Sequence, residues 1–271
     1  MRRFVPSIVL IFVGSLSACG TMVPEIRDFP NNTSYAANNE LVQAIVQSIR
    51  CELEDAVTNV IGNDNTSTAT FLKKWGAEVA LTLQLEEKTA IGPNAVWTPP
   101  SPASAIFSLA GGVTGSAGAT RIDKVNFYYK VSELYLGKGN RCSRDSNPPS
   151  GSLLIQSDLK LAEWLNMMVN GVATGQITAV ADKNVLSHQI TFELNSSGNI
   201  TPAWKLVRAT VNQSGSLLAA NRNRKHDLLV TFGPLDSTKK GSFLVPIAEN
   251  THIASQITSG IATGIQNAFI Q

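Results

Sequence analysis

The feature that most constrains this chain is an internal repeat, in which four short matches keep their order along the sequence. Leu81-Thr82-Leu83-Gln84-Leu85 parallels Ile190-Thr191-Phe192-Glu193-Leu194 in character at each position, and Pro102-Ala103 with Ile106-Phe107 parallels Pro202-Ala203 with Leu206-Val207. Thr114-Gly115-Ser116 returns as Ser214-Gly215-Ser216, and the pattern A-x-R-x-x-K-x-[ND]-[FL] fits both Ala119 to Phe127 and Ala220 to Leu228. Ordered matches whose spacing drifts only from about 109 to about 100 residues predict duplication of one supersecondary unit.

Each copy opens on a helical pattern. Leu41, Ile45, Ile49, Leu53, Val57 and Val60 recur at helical spacing, with Asn38 or Asn39 as cap and Gly62 as stop; the second helix, capped by Ser157 or Asp158, runs through "LKLAEWLNMMVNGV". Strand alternation follows: Val79, Leu81, Leu83 and Leu85 oppose Glu78, Thr82, Gln84 and Glu86, and "SHQITFEL" sets His188, Ile190, Phe192 and Leu194 on one face. Two further strands follow in each copy. The expected fold is α+β: a duplicated unit of one helix and three antiparallel strands, in two layers with both helices on one face. The first unit covers residues 40–150 and the second 151–271. A last helix from about Thr251 to Phe269 carries Ile253, Ile257, Ile261 and Ile265 to cover the junction between them.

Chemistry is sparse. With 22 Lys+Arg against 20 Asp+Glu the chain has no field to gather nucleic acid. "AGGVTGSAGA" lacks the Gly-Lys-Ser/Thr ending of a phosphate loop, and its Gly115-Ser116, like Gly215-Ser216, is expected in a hairpin turn. Neither G-x-S-x-G nor His-Glu-x-x-His occurs, so no catalytic site and no cofactor are expected. His188, His226 and His252 lie far apart in sequence, which argues against a metal site, and His226 is expected at the surface start of a strand. Arg222, Arg224, Lys225 and His226, with Arg121 and Lys124 as counterparts, read as flanks that keep a strand edge soluble. Trp164 and Trp204 are expected in the core, whereas Trp97, in a Pro-rich loop longer than its counterpart, marks a contact surface.

The N-terminus sets the address. Arg2 and Arg3 precede the apolar run "FVPSIVLIFVGSL", too short for a membrane span but suited to a secretory signal. Leu16-Ser17-Ala18-Cys19 resembles the lipobox of bacterial lipoproteins. That resemblance, confined to the first 20 residues or so, implies removal of residues 1–18, lipidation of Cys19 and anchoring to a membrane. Gly20, in place of Asp, implies the outer membrane. Residues 19–39 then read as a linker, and the Asn65 and Asn195 sequons carry no glycan in such a compartment. In the oxidising compartment so implied, Cys51 and Cys142 are expected to pair rather than remain two buried thiols. The expected role is a non-enzymatic outer-membrane lipoprotein facing the periplasm that binds envelope proteins or supports their assembly. Lipid or small-ligand binding, and an oligomeric outer-membrane channel, are the alternatives.

Overall fold

The computed structural model describes residues 22–26, 35–64, 69–102, 104–144, 152–174, 185–205, 208–212, 215–238 and 243–270; the lipobox lies outside them. Helix α1 (Tyr35–Gly62) and a 3-10 turn (Thr70–Lys74) lead into β1 (Trp75–Ile91), β2 (Asn94–Trp97), β3 (Leu109–Gly112) and β4 (Gly115–Lys130). Two short helices, α2 (Val131–Leu134) and α3 (Leu153–Gln156), and then α4 (Leu161–Ala173) precede β5 (Leu186–Ile200), β6 (Trp204–Lys205), β7 (Ala209–Val211) and β8 (Leu218–Pro234). The chain ends in α5 (Pro246–Ile270). The fold is α+β with two four-stranded antiparallel sheets and a C-terminal helix.

Each copy thus holds four strands, long, short, short, long, where three were expected. The expectation failed at β2 and β6, because four and two residues are too few for alternation to register. The long strands form one sheet in the order β4-β1-β8-β5 and the short ones a second in the order β3-β2-β7-β6. Both orders read last-before-first in each copy. The copies are therefore related head to tail within each sheet, and β1–β8 and β2–β7 are the junctions between them.

The chain divides into two compact units, one of Met1–Ile26, Leu83–Ile122 and Glu193–Lys225, the other of Arg27–Thr82, Asp123–Phe192 and His226–Gln271. The second, helical unit holds the main core. The predicted stripe of α1 is buried throughout, from Leu41 to Val60. Cys51 on α1 is disulfide-bonded to Cys142, with Cα atoms 5.2 Å apart. The loop so tied is also held by Cys142 N donating to Asp55 (2.8 Å) and by Arg144 against Glu52 (2.8 Å) and Asp55 (2.9 Å).

Helices cover both faces of the sheet in this unit: the two repeat helices α1 and α4 pack against each other, and α5 lies on the opposite face from α4, where two layers were expected. Trp164 of α4 stacks on His188 of β5 at 4.8 Å and meets the Phe232 ring of β8 at 6.1 Å. On the opposite parity of β8, Thr231 accepts or donates to His252 Nδ1 of α5 at 2.8 Å, and a Cβ on Gly233 would stand 2.6 Å from Ala248 Cβ. Residues 228–234 are accordingly buried without alternation, as in a central strand covered on both sides. The side of α5 that packs carries Ala248 and His252, while Ile253, Ile257 and Ile261 of the predicted covering stripe are 51%, 56% and 58% exposed.

Candidate interaction surface

The strand unit contains the short-stranded sheet and the parts of the long strands at Leu83–Ile91, Gly115–Ile122, Glu193–Ile200 and Leu218–Lys225. Pairing fixes which side chains share a face, because directly opposed residues point the same way and alternate along each strand. Trp97 is opposed by Leu109 on β3 and Ala209 on β7; Ala95 is opposed by Gly111 and Val211; and Val211 is opposed by Trp204 on β6. One face therefore holds Leu109, Gly111, Ala95, Trp97, Ala209, Val211 and Trp204, with no polar side chain. The other holds Asn94, Val96, Ala110, Gly112, Thr210 and Lys205.

On β2 the apolar side is the one turned to solvent, whereas β3 and β6 are exposed on both sides and β7 is half-buried on both. On β2, Ala95 and Trp97 are exposed and Asn94 and Val96 half-buried. Trp97, Leu109 and Trp204 are 50%, 56% and 52% exposed, and Ile106, Phe107, Val113 and Ile200 nearby in the same unit are exposed as well. The other side, with the exposed Lys205 and Ala110, carries a polar network at Asn94: Asn94 Nδ2 donates to Asn212 Oδ1 (3.3 Å), Asn212 N donates to Asn94 O (2.6 Å), and Asn212 Nδ2 donates to Pro202 O (2.7 Å). Asn212, at φ +57°, is 1% exposed. Two half-exposed Trp rings on a side with no polar side chain are the mark of an interaction surface.

Along the long strands the unit carries a polar ladder, with Asn223 donating to Glu193 (2.9 Å), Asn221 to Asn195 (3.0 Å) and Asn199 to Ser216 (3.1 Å). Arg222 pairs with Glu87 and donates to Glu25 O at 2.5 Å. Pro24 and Ile26 are buried, so part of the expected 19–39 linker is packed chain. The basic group expected to guard a strand edge sits instead on β8, an interior strand, where Arg224 and His226 are buried. The edge strands are β4 and β5, and Arg121 lies on β4.

Trp97, expected in a loop, ends β2 and is half exposed. Trp164 is in the core as expected, but Trp204, expected there, is exposed. Gly115 and Ser116 begin β4 rather than forming a hairpin turn, whereas Gly215 has φ +84°. Pro102 and Ile106-Phe107 follow β2 while Pro202 precedes β6, so this one sequence match does not join equivalent positions. Ala103, Leu206 and Val207 lie outside the described residues.

One arrangement with catalytic residue types was not foreseen. His226 Nδ1 lies 2.9 Å from Ser152 Oγ, and that oxygen also accepts from Leu154 N as the cap of α3. Both residues are buried, at 5% and 3% exposure, so a substrate has no approach to them. Cys51, Cys142 and Glu54 lie within 4.8 Å of one another, but the disulfide leaves no thiolate for a metal. Two clefts of the helical unit, about 480 Å³ each, are lined in one case by Glu52, Asp55, Asn59 and Arg144 and in the other by Gln189, Ile247, Asn250, Thr251, Ala254 and Ser255, among others. The charged lining of the first does not suit an acyl chain. Among the described residues no helix is long and apolar enough to cross a membrane.

No known protein family matches the chain, and no curated protein does. Among solved structures it is similar to the Salmonella SPI-1 type III secretion injectisome secretin InvG in the open gate state, with 11% identity over 69% of this chain and 66% of that one and a TM-score of 0.15. The Salmonella SPI-1 injectisome basal body proteins InvG, PrgH and PrgK give 9% identity over 69% and 50%, with a TM-score of 0.16. The chain spans slightly less than two thirds of the first of these. At such scores the backbones do not superpose as one fold, and nothing about this chain follows from them.

Proposed function

We propose that this protein is a lipid-anchored, non-enzymatic subunit of an oligomeric β-barrel in the outer membrane, tethered through Cys19 and inserting the tip of its strand unit. The observation that carries the reading is the apolar side on which Trp97 and Trp204 are half exposed, with the Asn94–Asn212 network on the other side. Membrane barrels have this sense, apolar toward lipid and polar toward the lumen, with aromatic residues at the interfaces. The four residues of β2 rise roughly 14 Å, about half of a hydrocarbon core of about 30 Å. Ile106, Phe107, Val113 and Ile200 of the same unit are exposed as well. Lipidation of Cys19 would supply the tether that holds each copy at the membrane.

The test is detergent extraction of the full chain from bacterial envelopes, followed by mass measurement of the particle and conductance recording in planar bilayers. A uniform oligomer that conducts supports the reading. A monomer in detergent, with the Cys19→Ser form also monomeric in buffer, overturns it. A second reading, attachment of another envelope protein, is favoured by the exposed Ile253, Ile257 and Ile261 of α5. Envelope crosslinking with mass spectrometry would distinguish it by a stoichiometric partner of different sequence.

A further inference from the structure

We infer that the oligomer grows head to tail, with β4 of one copy pairing antiparallel with β5 of the next and β3 with β6; this rests on the barrel reading and specifies its interface. The evidence is the strand order. A chain whose two copies met symmetrically would place like strands side by side, but here the last strand of the second copy, β8, pairs with the first strand of the first copy, β1, and β7 likewise pairs with β2. The edges left over, β4 and β5 in one sheet and β3 and β6 in the other, are the same two kinds of strand that meet at those junctions. A second molecule can therefore repeat the internal junction in both sheets at once, satisfying every edge that a lone chain leaves open. Such an interface is heterologous and closes into a ring when its rotation permits.

The internal junction also sets the register. Gly92 N donates to Leu217 O and Glu87 pairs with Arg222, so Lys88 of β1 stands opposite Asn221 of β8. Strands β1 and β5 both end in isoleucine, at Ile91 and Ile200, and the Ala119 and Ala220 pattern aligns β4 with β8. Carrying the junction across by these equivalences sets Ser197 opposite Thr120 of the next copy, and Glu193 opposite its Lys124. In the short-stranded sheet, Trp204 falls opposite Gly111 and Lys205 opposite Ala110. A Cβ on Gly111 would meet no atom within 4 Å, so the Trp204 ring has room over that glycine.

Thr120→Cys combined with Ser197→Cys tests this in the full chain in envelope membranes. Directly opposed antiparallel residues are close enough for a disulfide, so oxidation is expected to give a ladder of multimers from the double variant and only monomer from either single variant. Ala110→Cys with Lys205→Cys, a pair on the other sheet, is expected to give the same ladder and serves if the first pair impairs folding. Dimers from a single variant would show like edges meeting and overturn the inference. An intact oligomer with no ladder from either pair would also overturn it while leaving the barrel reading in place. Absence of any oligomer from the unmodified protein would remove the barrel reading itself.

Discussion

Trp97 and Trp204, from opposite halves of the chain, stand on one face of one sheet, linked through Ala95 and Val211 in adjacent pairing rows. Each is about half exposed. Transferring the exposed half of such a ring, on the order of 100 Å², from water to lipid is worth about 2–3 kcal/mol. Exchanging both for serine is expected to leave the denaturation midpoint nearly unchanged, because little buried contact is lost. Binding to vesicles should nevertheless weaken more than tenfold. A large loss of stability, or unchanged vesicle binding, would contradict a membrane role for this face.

The Cys51–Cys142 disulfide closes a loop across a sequence separation of 91 residues. In the chain-entropy model such a closure contributes roughly 4–5 kcal/mol. The pairs of Arg144 with Glu52 and Asp55, solvent-accessible on the Arg144 side, would each supply about 1 kcal/mol or less once the bridge is gone. Burial holds the Glu52 carboxyl above its ordinary range despite Arg144, which limits that gain. Replacing both cysteines by alanine should therefore lower unfolding free energy in urea by about 2–5 kcal/mol. An unchanged midpoint would mean that polar contacts alone hold the loop.

His252 is 1% exposed, and burial pushes its pKa down from 6.5 to about 4. The unfolded chain therefore binds a proton near pH 6.5 that the folded one refuses until about pH 4, so stability falls as pH drops through that window and is unaffected by this residue above it. Burial lowers the His188 pKa also, and it adds in the same direction. The loss from His252 is roughly 2–3 kcal/mol between pH 7 and pH 4. His252→Gln, which can keep a partner for Thr231, should flatten the slope of unfolding free energy against pH. A slope equal to the unmodified protein's would place the titration elsewhere.

How legible these features were in the sequence depended on whether packing alone decided them. The Leu41 to Val60 stripe and the Val79 to Leu85 alternation were readable because each buries a regular apolar row. The isoleucines of α5 show equally clean spacing, yet the buried side is the one with Ala248 and His252, since a small residue is what lets the helix approach Gly233. Periodicity marks an amphipathic helix without saying which side meets water. "NRNRKH" hid an interior strand for a related reason: Arg222 is met by Glu87 and the Glu25 carbonyl, and Asn223 by Glu193, all far away in sequence. The exposed face of the short sheet was only half legible, with Trp97 singled out and Trp204 assigned to the core, because strands of two to four residues show their sides only once their partners are known.

Tyr128 provides a test of the helical unit's packing. Its hydroxyl is buried and has no hydrogen-bond partner among the described residues, and burial, with Glu133 and Glu78 adding to it, holds its pKa up at about 12. The ring lies where a Cβ on residue 76 would stand, so Gly76 is the space that admits it. An unsatisfied buried hydroxyl costs about 1–3 kcal/mol, so Tyr128→Phe is expected to leave stability unchanged or raise it by about 1 kcal/mol. Gly76→Ala should instead cost about 1–3 kcal/mol through overpacking against the ring. Combining Gly76→Ala with Tyr128→Ala should cost less than the two single changes added together, because the methyl group then enters space the ring has left. Strict additivity in that double-mutant cycle would show that the glycine is there for some other reason.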